Sequence, residues 1–296
     1  MSVAPPANPT APQTADAATS QAGGEHPWLV VWTLCKRELV RFFRQRNRVV
    51  GAVGQPIIFW LLFGAGLGPS FRMPQAAPTG GDVAIATVSY SEYFFPGTLS
   101  LILLFTAIFT TISIIEDRRE GFLQSVLVAP IARWSMVLGK LLGGSLIALV
   151  QGMIFFLLGL TLGLDYSPTM VLAVAGFSFL CSFTLTALGF LIAWRMDSTQ
   201  GFHAVMSVFL MPMWLLSGAF FPGEGWLRWV MMVNPMTYMT AGLRHLLYLN
   251  VENGAALLPP HLPSLSLCLI VTSLLAAALF ALAVRMSAAR TTGDLL

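Results

Sequence analysis

The densest run of ionisable side chains lies between residues 116 and 140. Glu116, Asp117, Arg118, Arg119 and Glu120 stand in succession, then Gly121, then Leu123, Val126, Leu127 and Pro130 at helical spacing, with Arg133 and Lys140 beyond. Charges alone would only fix the topology of a loop. An apolar stripe beside them predicts a short amphipathic helix that seeks a groove in a membrane surface or a partner protein, so the chemistry is docking. No other group points as sharply. Nucleotide hydrolysis needs G-x-x-x-x-G-K-[ST], and the only two lysines, Lys36 and Lys140, stand outside such a context. Cys35, Cys181 and Cys268 are too widely spaced for a disulfide framework or a clustered thiolate site. Met206, Met211, Met213, Met231, Met232, Met236 and Met239 invite a soft-metal reading. Without Cys or His at ligand spacing, they read as flexible apolar filling. Ser178, Ser182 and Thr186, four apart, read as hydroxyls bonding their own helix backbone. Gly139 with Gly143, and Gly159 with Gly163, match G-x-x-x-G and mark close helix contacts, within the chain or between copies.

Composition says what kind of scaffold holds these groups. Of 296 residues, 56% are hydrophobic and 10% charged, against about 25% charged in soluble domains. Mean hydropathy is +0.76. An all-α polytopic membrane protein is predicted, not the two soluble domains that length alone suggests. The net charge of +3 is too small to suggest nucleic acid. Six stretches, 49–67, 93–115, 141–164, 167–194, 202–221 and 262–284, reach the roughly 20 residues that cross a bilayer. Before them, Trp28, Val31, Trp32, Cys35, Leu39, Phe42 and Phe43 share one helical face, with Arg37, Arg41, Arg44 and Arg48 opposite. That pattern predicts a helix over 28–48 lying in the headgroup region. Residues 1–27 read as a disordered tail that is retained, since a signal peptide's basic start and apolar run are missing. Segments 226–233 and 236–249 are interrupted by Arg228, Asn234-Pro235 and Arg244. They predict two short helices dipping into the membrane or lying on it. With a cytoplasmic N-terminus, thirteen Lys and Arg fall inside and three (Arg72, Arg228 and Arg244) outside. This positive-inside bias puts both termini in the cytoplasm.

The run 116–140 resembles the signature of permease subunits of type-2 (ABC-2) ATP-binding-cassette exporters. Its matching residues are Glu116, Arg118 and Arg119, Glu120-Gly121, the apolar stretch to Pro130, Arg133, and Leu138-Gly139-Lys140. Leu216-Ser217-Gly218 with Phe220-Phe221-Pro222, and Asn234-Pro235-Met236-Thr237-Tyr238 with Arg244, resemble the family's motifs around the fifth span. All three fall in the family's order, and the resemblance covers nearly all of 28–290. It implies an elbow helix before the spans and a coupling helix near 120–128 within 116–134. It further implies a re-entrant extracellular segment over 222–250, a transmembrane domain over 49–290 and a cytoplasmic tail over 291–296. Glu116, Arg118, Arg119, Glu120, Gly121 and Arg133 would transmit motion from an ATPase. Ser217, Gly218, Pro222, Asn234, Pro235, Tyr238 and Arg244 would form the motif region of the fifth span.

The resemblance also implies two permease copies, identical or paralogous, around one pathway, and two copies of a separate ATPase that holds ATP and Mg. This chain then carries no cofactor, metal or catalytic residue, and its further partners are membrane lipids. The expected activity is export of a hydrophobic or amphipathic, drug-like or lipid-like substrate across a bacterial or archaeal plasma membrane. It follows the likeness of Phe122-Leu123-Gln124 and Val128-Ala129-Pro130 to drug- and lipid-exporting members. A polysaccharide or lipid-linked glycan exporter is the alternative. An ion-coupled carrier ranks lower, since no Asp, Glu, Lys or Arg lies near the middle of a predicted span, and Glu92, Asp165 and His203 sit at or near boundaries. A channel ranks third, for want of a filter or an acidic ring.

Overall fold

The computed structural model of the chain describes residues 26–67, 90–162, 166–220, 225–248 and 262–289. Ten α-helices and no strand occur among them. They are α1 (Pro27–Arg44), α2 (Arg46–Leu67), α3 (Tyr90–Arg119), α4 (Phe122–Val128) and α5 (Arg133–Phe156), then α6 (Pro168–Trp194), α7 (Thr199–Trp214), α8 (Leu227–Val233), α9 (Pro235–Leu247) and α10 (Leu265–Ala288). A 3₁₀ segment (Leu157–Leu162) extends α5 and a π turn (Leu215–Ala219) extends α7. With those extensions, α3, α5, α6, α7 and α10 are long and apolar enough to cross a membrane. The chain is a multi-pass membrane protein. The first expected span, 49–67, lies within α2, whose apolar part, Val49–Gly64, is shorter than the other five. The expected terminal tails, Gly163, Asp165 and Pro222 lie outside the described residues, apart from the last two residues of the first tail.

Helix starts follow from local chemistry. Ser167, Ser198 and Ser264 cap α6, α7 and α10 by accepting the backbone N–H of Met170, Gly201 and Leu267. Asn234 does the same for Met236 at the head of α9, where Pro235 supplies a preset φ at the first position. The core is built around α3, whose most apolar stretch is 89% buried. It is flanked by α5, α6 and α2, while α10 closes over α6 and α9. At the other extreme α10 is mostly outward-facing, with Leu267, Ile270, Leu274 and Leu282 exposed, as a lipid-facing helix requires.

The largest departures from expectation lie at the end that carries the basic residues. At 30 residues, α3 spans about 45 Å, some 15 Å beyond the roughly 30 Å hydrocarbon core. Glu116 to Arg119 are therefore the last turn of that helix and not a loop. Gly121 then adopts φ 77°, and α4 begins at Phe122 instead of Glu120. The third span was expected to start after Lys140, but α5 begins at Arg133, so Lys140 lies two turns inside it. The amphipathic N-terminal helix stops at Arg44, short of 48. It packs on α5 at the predicted small-residue pair. A Cβ on Gly139 would stand 2.9 Å from the Leu34 Cβ, and one on Gly143 2.7 Å from the Glu38 Cβ. This G-x-x-x-G therefore serves a contact within the chain.

Candidate functional site

Two polar constellations stand at opposite ends of the bundle. The first joins α1, α3 and α5. Asp117 is fully buried and binds Arg37 with both oxygens, at 2.6 and 3.0 Å. The Arg41 guanidinium donates to Asp117 at 2.6 Å, to Glu116 at 2.9 Å and to Glu120 at 3.3 Å. From α5, Lys140 reaches Asp117 at 2.5 Å and Glu38 at 2.9 Å, and it is 5% exposed. The spacing explains the fit. Arg37 and Arg41 are four apart on one face of α1, so both reach Asp117 at the end of α3, and Arg41 also reaches Glu116 and Glu120 on either side of it. Burial is the largest single influence and works against the charge on Arg37, but the Asp117 hydrogen bond and the charges of Asp117, Glu38 and Glu120 together outweigh it and push its pKa up. Burial, and then the neighbouring Glu38, push the Cys35 thiol above its ordinary value.

The expected coupling residues attach to this hub in different ways. Arg37 stacks 3.7 Å over the Phe122 ring, the first residue of α4. Arg133 donates to the Leu127 carbonyl at 2.8 Å, holding the far end of α4 to the start of α5. Gln124 closes back on the Arg118 carbonyl at 3.3 Å. Gly121 supplies the left-handed turn between α3 and α4, a conformation that costs other L-residues roughly 1–2 kcal/mol. Leu123 is buried in the chain's own core, so the predicted apolar stripe is partly used internally, while Gln124, Ser125 and Val128 are exposed. Arg118 and Arg119 turn away from α4. Arg118 donates to the carbonyls of Trp194 and Met196 and pairs with Asp197 at 3.1 Å. Arg119 donates twice to the Asp197 carbonyl, at 3.1 and 2.7 Å. Both therefore tie the end of α3 to the turn between α6 and α7, and the Trp194 carbonyl is a helix C-terminus that favours a cation.

The second constellation surrounds a break at the end of α7. Pro212 lacks an N–H to continue the ladder, and Gly218 sits at φ 79°. Freed carbonyls at membrane depth need donors, and side chains supply them. Asn234 donates to Met213 O at 2.5 Å, and Tyr93 and Arg244 both donate to Gly218 O, at 3.1 and 3.3 Å. Tyr90 donates to Phe220 O at 3.3 Å, and Ser217 to Trp214 O at 2.6 Å. Arg244 is 1% exposed, with its guanidinium 4.1 Å from the centre of the Tyr93 ring. Its charge is thus met by an aromatic face and the carbonyl end of a helix. Tyr238 donates to Met232 O at 2.8 Å and pins α8 to α9. Of the expected motif residues, Ser217, Gly218, Asn234, Pro235 and Arg244 gather at this break and Tyr238 joins α8 to α9, while at the other end Glu116 and Glu120 share Arg41 and Arg133 bonds Leu127 O instead.

Sequence reasoning missed Glu38, Arg37, Arg41 and Asp117 as one hub, and Tyr93 as the partner of Arg244. Glu38 was detectable as the one acid on the arginine-rich α1. Ser182 and Thr186 bond the carbonyls four residues back, at 2.7 Å each, whereas the buried Ser178 hydroxyl makes no such bond. His203 is exposed and packs beside Phe109. Among the described residues, no three His, Cys, Asp or Glu side chains stand together in a way that would hold a metal.

Comparison with known proteins agrees with this arrangement. The family profile described as ABC-2 type transporter matches residues 30–248, from α1 through the end of α9. A protein of Cyanophora paradoxa named as a transport permease, ycf38, is 27% identical over 221 residues, 73% of each chain. A protein of Escherichia coli (strain K12) named as a multidrug ABC transporter permease, YbhR, is 27% identical over 160 residues, 52% of this chain and 43% of that one. The daunorubicin resistance ABC transporter permease protein DrrB1 of Streptomyces coeruleorubidus is 25% identical over 223 residues, 72% of each. With the profile spanning both constellations and most of the chain, this protein belongs to the ABC-2 type transporter family and is a membrane transport subunit.

Proposed function

We propose that the chain is the permease of an exporter that moves a hydrophobic or amphipathic substrate out of the cytoplasm of a bacterium or archaeon. It works as a pair of permeases with two copies of a separate ATPase, which hold ATP and Mg. Both termini and the basic end are cytoplasmic, following the thirteen-to-three distribution of Lys and Arg. Six spans, with α2 as the first, fit that orientation.

The observation that carries this reading is the mounting of α4. The short helix is fastened at its start through Phe122 and Arg37 and at its end through Leu127 and Arg133, while Gln124, Ser125 and Val128 face outward, where a partner could meet them. A push on α4 would thus be felt by α1, α3 and α5 together through the ion pairs of Asp117 and Lys140. Arg118 and Arg119 would pass it to α7, whose far end is the broken segment at Gly218. The substrate class is supported by the drug-related names of two relatives and by the apolar interior.

The test is coupled transport in vesicles containing the permease and its ATPase. Gly121→Ala makes only an ordinary contact at its Cβ, 3.9 Å from the Gln124 side chain, but at φ 77° it strains the turn between α3 and α4 by about 1–2 kcal/mol. Glu120→Gln removes the charge from one 3.3 Å ion pair on an exposed side chain and should alter stability by less than about 0.5 kcal/mol. Both variants are expected to insert normally and to hydrolyse ATP with reduced transport per ATP. Unchanged transport per ATP in both would defeat the coupling assignment.

A further inference from the structure

We propose that a cavity between α6, α7, α9 and α10 binds the end of a hydrocarbon chain dissolved in the bilayer. Its volume is about 80 Å3, with Leu185, Met236 and Met239 as buried walls and Leu188, Met213 and Leu279 as a half-exposed mouth. The lining has nothing to offer water. Thr184, the only residue with a polar side chain on it, donates its hydroxyl to Leu180 O at 2.8 Å, and Pro235 has no N–H. A water needs two to four polar partners, so this space stays dry. It is about half the ~150 Å3 of a known apolar cavity that holds benzene, which suits the last few carbons of an alkyl chain. Three methionines in the lining, Met213, Met236 and Met239, can reshape around such a guest at little cost. Leu279 and Leu275 lie in the middle of the 24-residue α10, a depth at which chain ends are what the bilayer supplies. A bound chain would brace α9 from behind, on the side away from Tyr93 and Gly218, which Arg244 holds. This inference needs neither an ATPase nor transport, so it stands apart from the export reading.

The chain end has two sources, a membrane lipid or the tail of an amphiphilic solute. The full-length protein is placed in phosphatidylcholine bilayers whose acyl chains end in a diazirine, or in plain lipid with an alkylammonium whose tail ends in one. After photolysis, the adducts are located by mass spectrometry. The expected result is labelling of Met236, Met239 or Leu279. Leu185→Phe, which fills the cavity, should abolish it, and Met239→Ala, which enlarges the cavity, should increase it. Adducts on the outward Leu274 and Leu282 should not change. Labelling by the lipid alone assigns the guest as lipid, and labelling by the amphiphile that displaces the lipid assigns it as solute. Adducts confined to outward residues in both arms, or cavity adducts indifferent to both substitutions, would overturn the proposal.

Discussion

Asp117→Asn keeps the shape of the side chain at the centre of the basic-end hub and removes its charge. The native carboxylate accepts four hydrogen bonds, two from Arg37 and one each from Arg41 and Lys140. After the change, Lys140 is left with Glu38, Arg41 with Glu116 and Glu120, and Arg37 with a 3.5 Å contact to Glu38. Removing one partner of a buried ion pair costs about 3–5 kcal/mol because the other charge stays buried. Arg37 and Arg41 keep 29% and 19% of their side chains exposed, so water and the remaining acids reduce this to about 2–3 kcal/mol. Lys140→Met provides the control, since it deletes the hub's most deeply buried cation at similar volume. In the double variant, the losses should fall short of the sum of the single losses by about 1–2 kcal/mol. The assay is reversible unfolding of the full chain in mixed detergent and SDS micelles, followed by helical circular dichroism. A loss below about 0.5 kcal/mol for Asp117→Asn, or strict additivity in the double variant, would refute the hub.

Other perturbations probe the rest of the frame. Gly143→Val drives a side chain into the α1 backbone, where a Cβ meets Cys35 O at 3.3 Å and the Glu38 Cβ at 2.7 Å; overpacking of this kind costs about 1–3 kcal/mol. Cys35 is 3% exposed and its thiol is pushed up by burial and then by Glu38. Its labelling by maleimide should therefore be slow near neutral pH in the native chain and faster in Gly143→Val, as peptide mapping would register; equal rates would mean that α1 does not depend on that contact. Gly218→Ala places a Cβ at φ 79° and 2.5 Å from the end of the Met231 side chain. The flexible methionine can yield, so the loss should be near the left-handed penalty of about 1–2 kcal/mol, measured in the same micelle titration. A neutral result would remove the case for a strained break in α7.

Local signals in the sequence carried much of the fold. Ser167 and Pro168 mark the start of α6, and Asn234-Pro235 separates α8 from α9, because a cap and a missing N–H act within one turn. Back-bonding by Ser182 and Thr186 was legible for the same reason, since each partner is four residues away. The hub was not. Helical period puts Arg37 and Arg41 on one stripe, but it does not say whether that stripe meets lipid headgroups or a carboxylate 80 residues later. The start of α5 was not legible, because a lysine ends an apolar stretch without ending a helix. Glu38 and Asp117 neutralise Lys140, so the helix runs on through it. Arg244 stood out in the sequence as an interruption, whereas its stacking on Tyr93 depends on α3 and α9 meeting across 151 residues of chain.

The claim that matters most is that this membrane subunit works through α4 on a separate ATPase. The direct measurement is purification of the tagged full-length chain from its native membranes in mild detergent, with identification of bound proteins and assay of ATP hydrolysis. The account predicts a P-loop ATPase in equal amount, retained in Leu274→Ala on the lipid-facing side and lost in Val128→Asp, which alters a side chain that is 83% exposed on α4. A chain that is recovered alone and without ATP hydrolysis, or an ATPase held equally well by Val128→Asp, contradicts it.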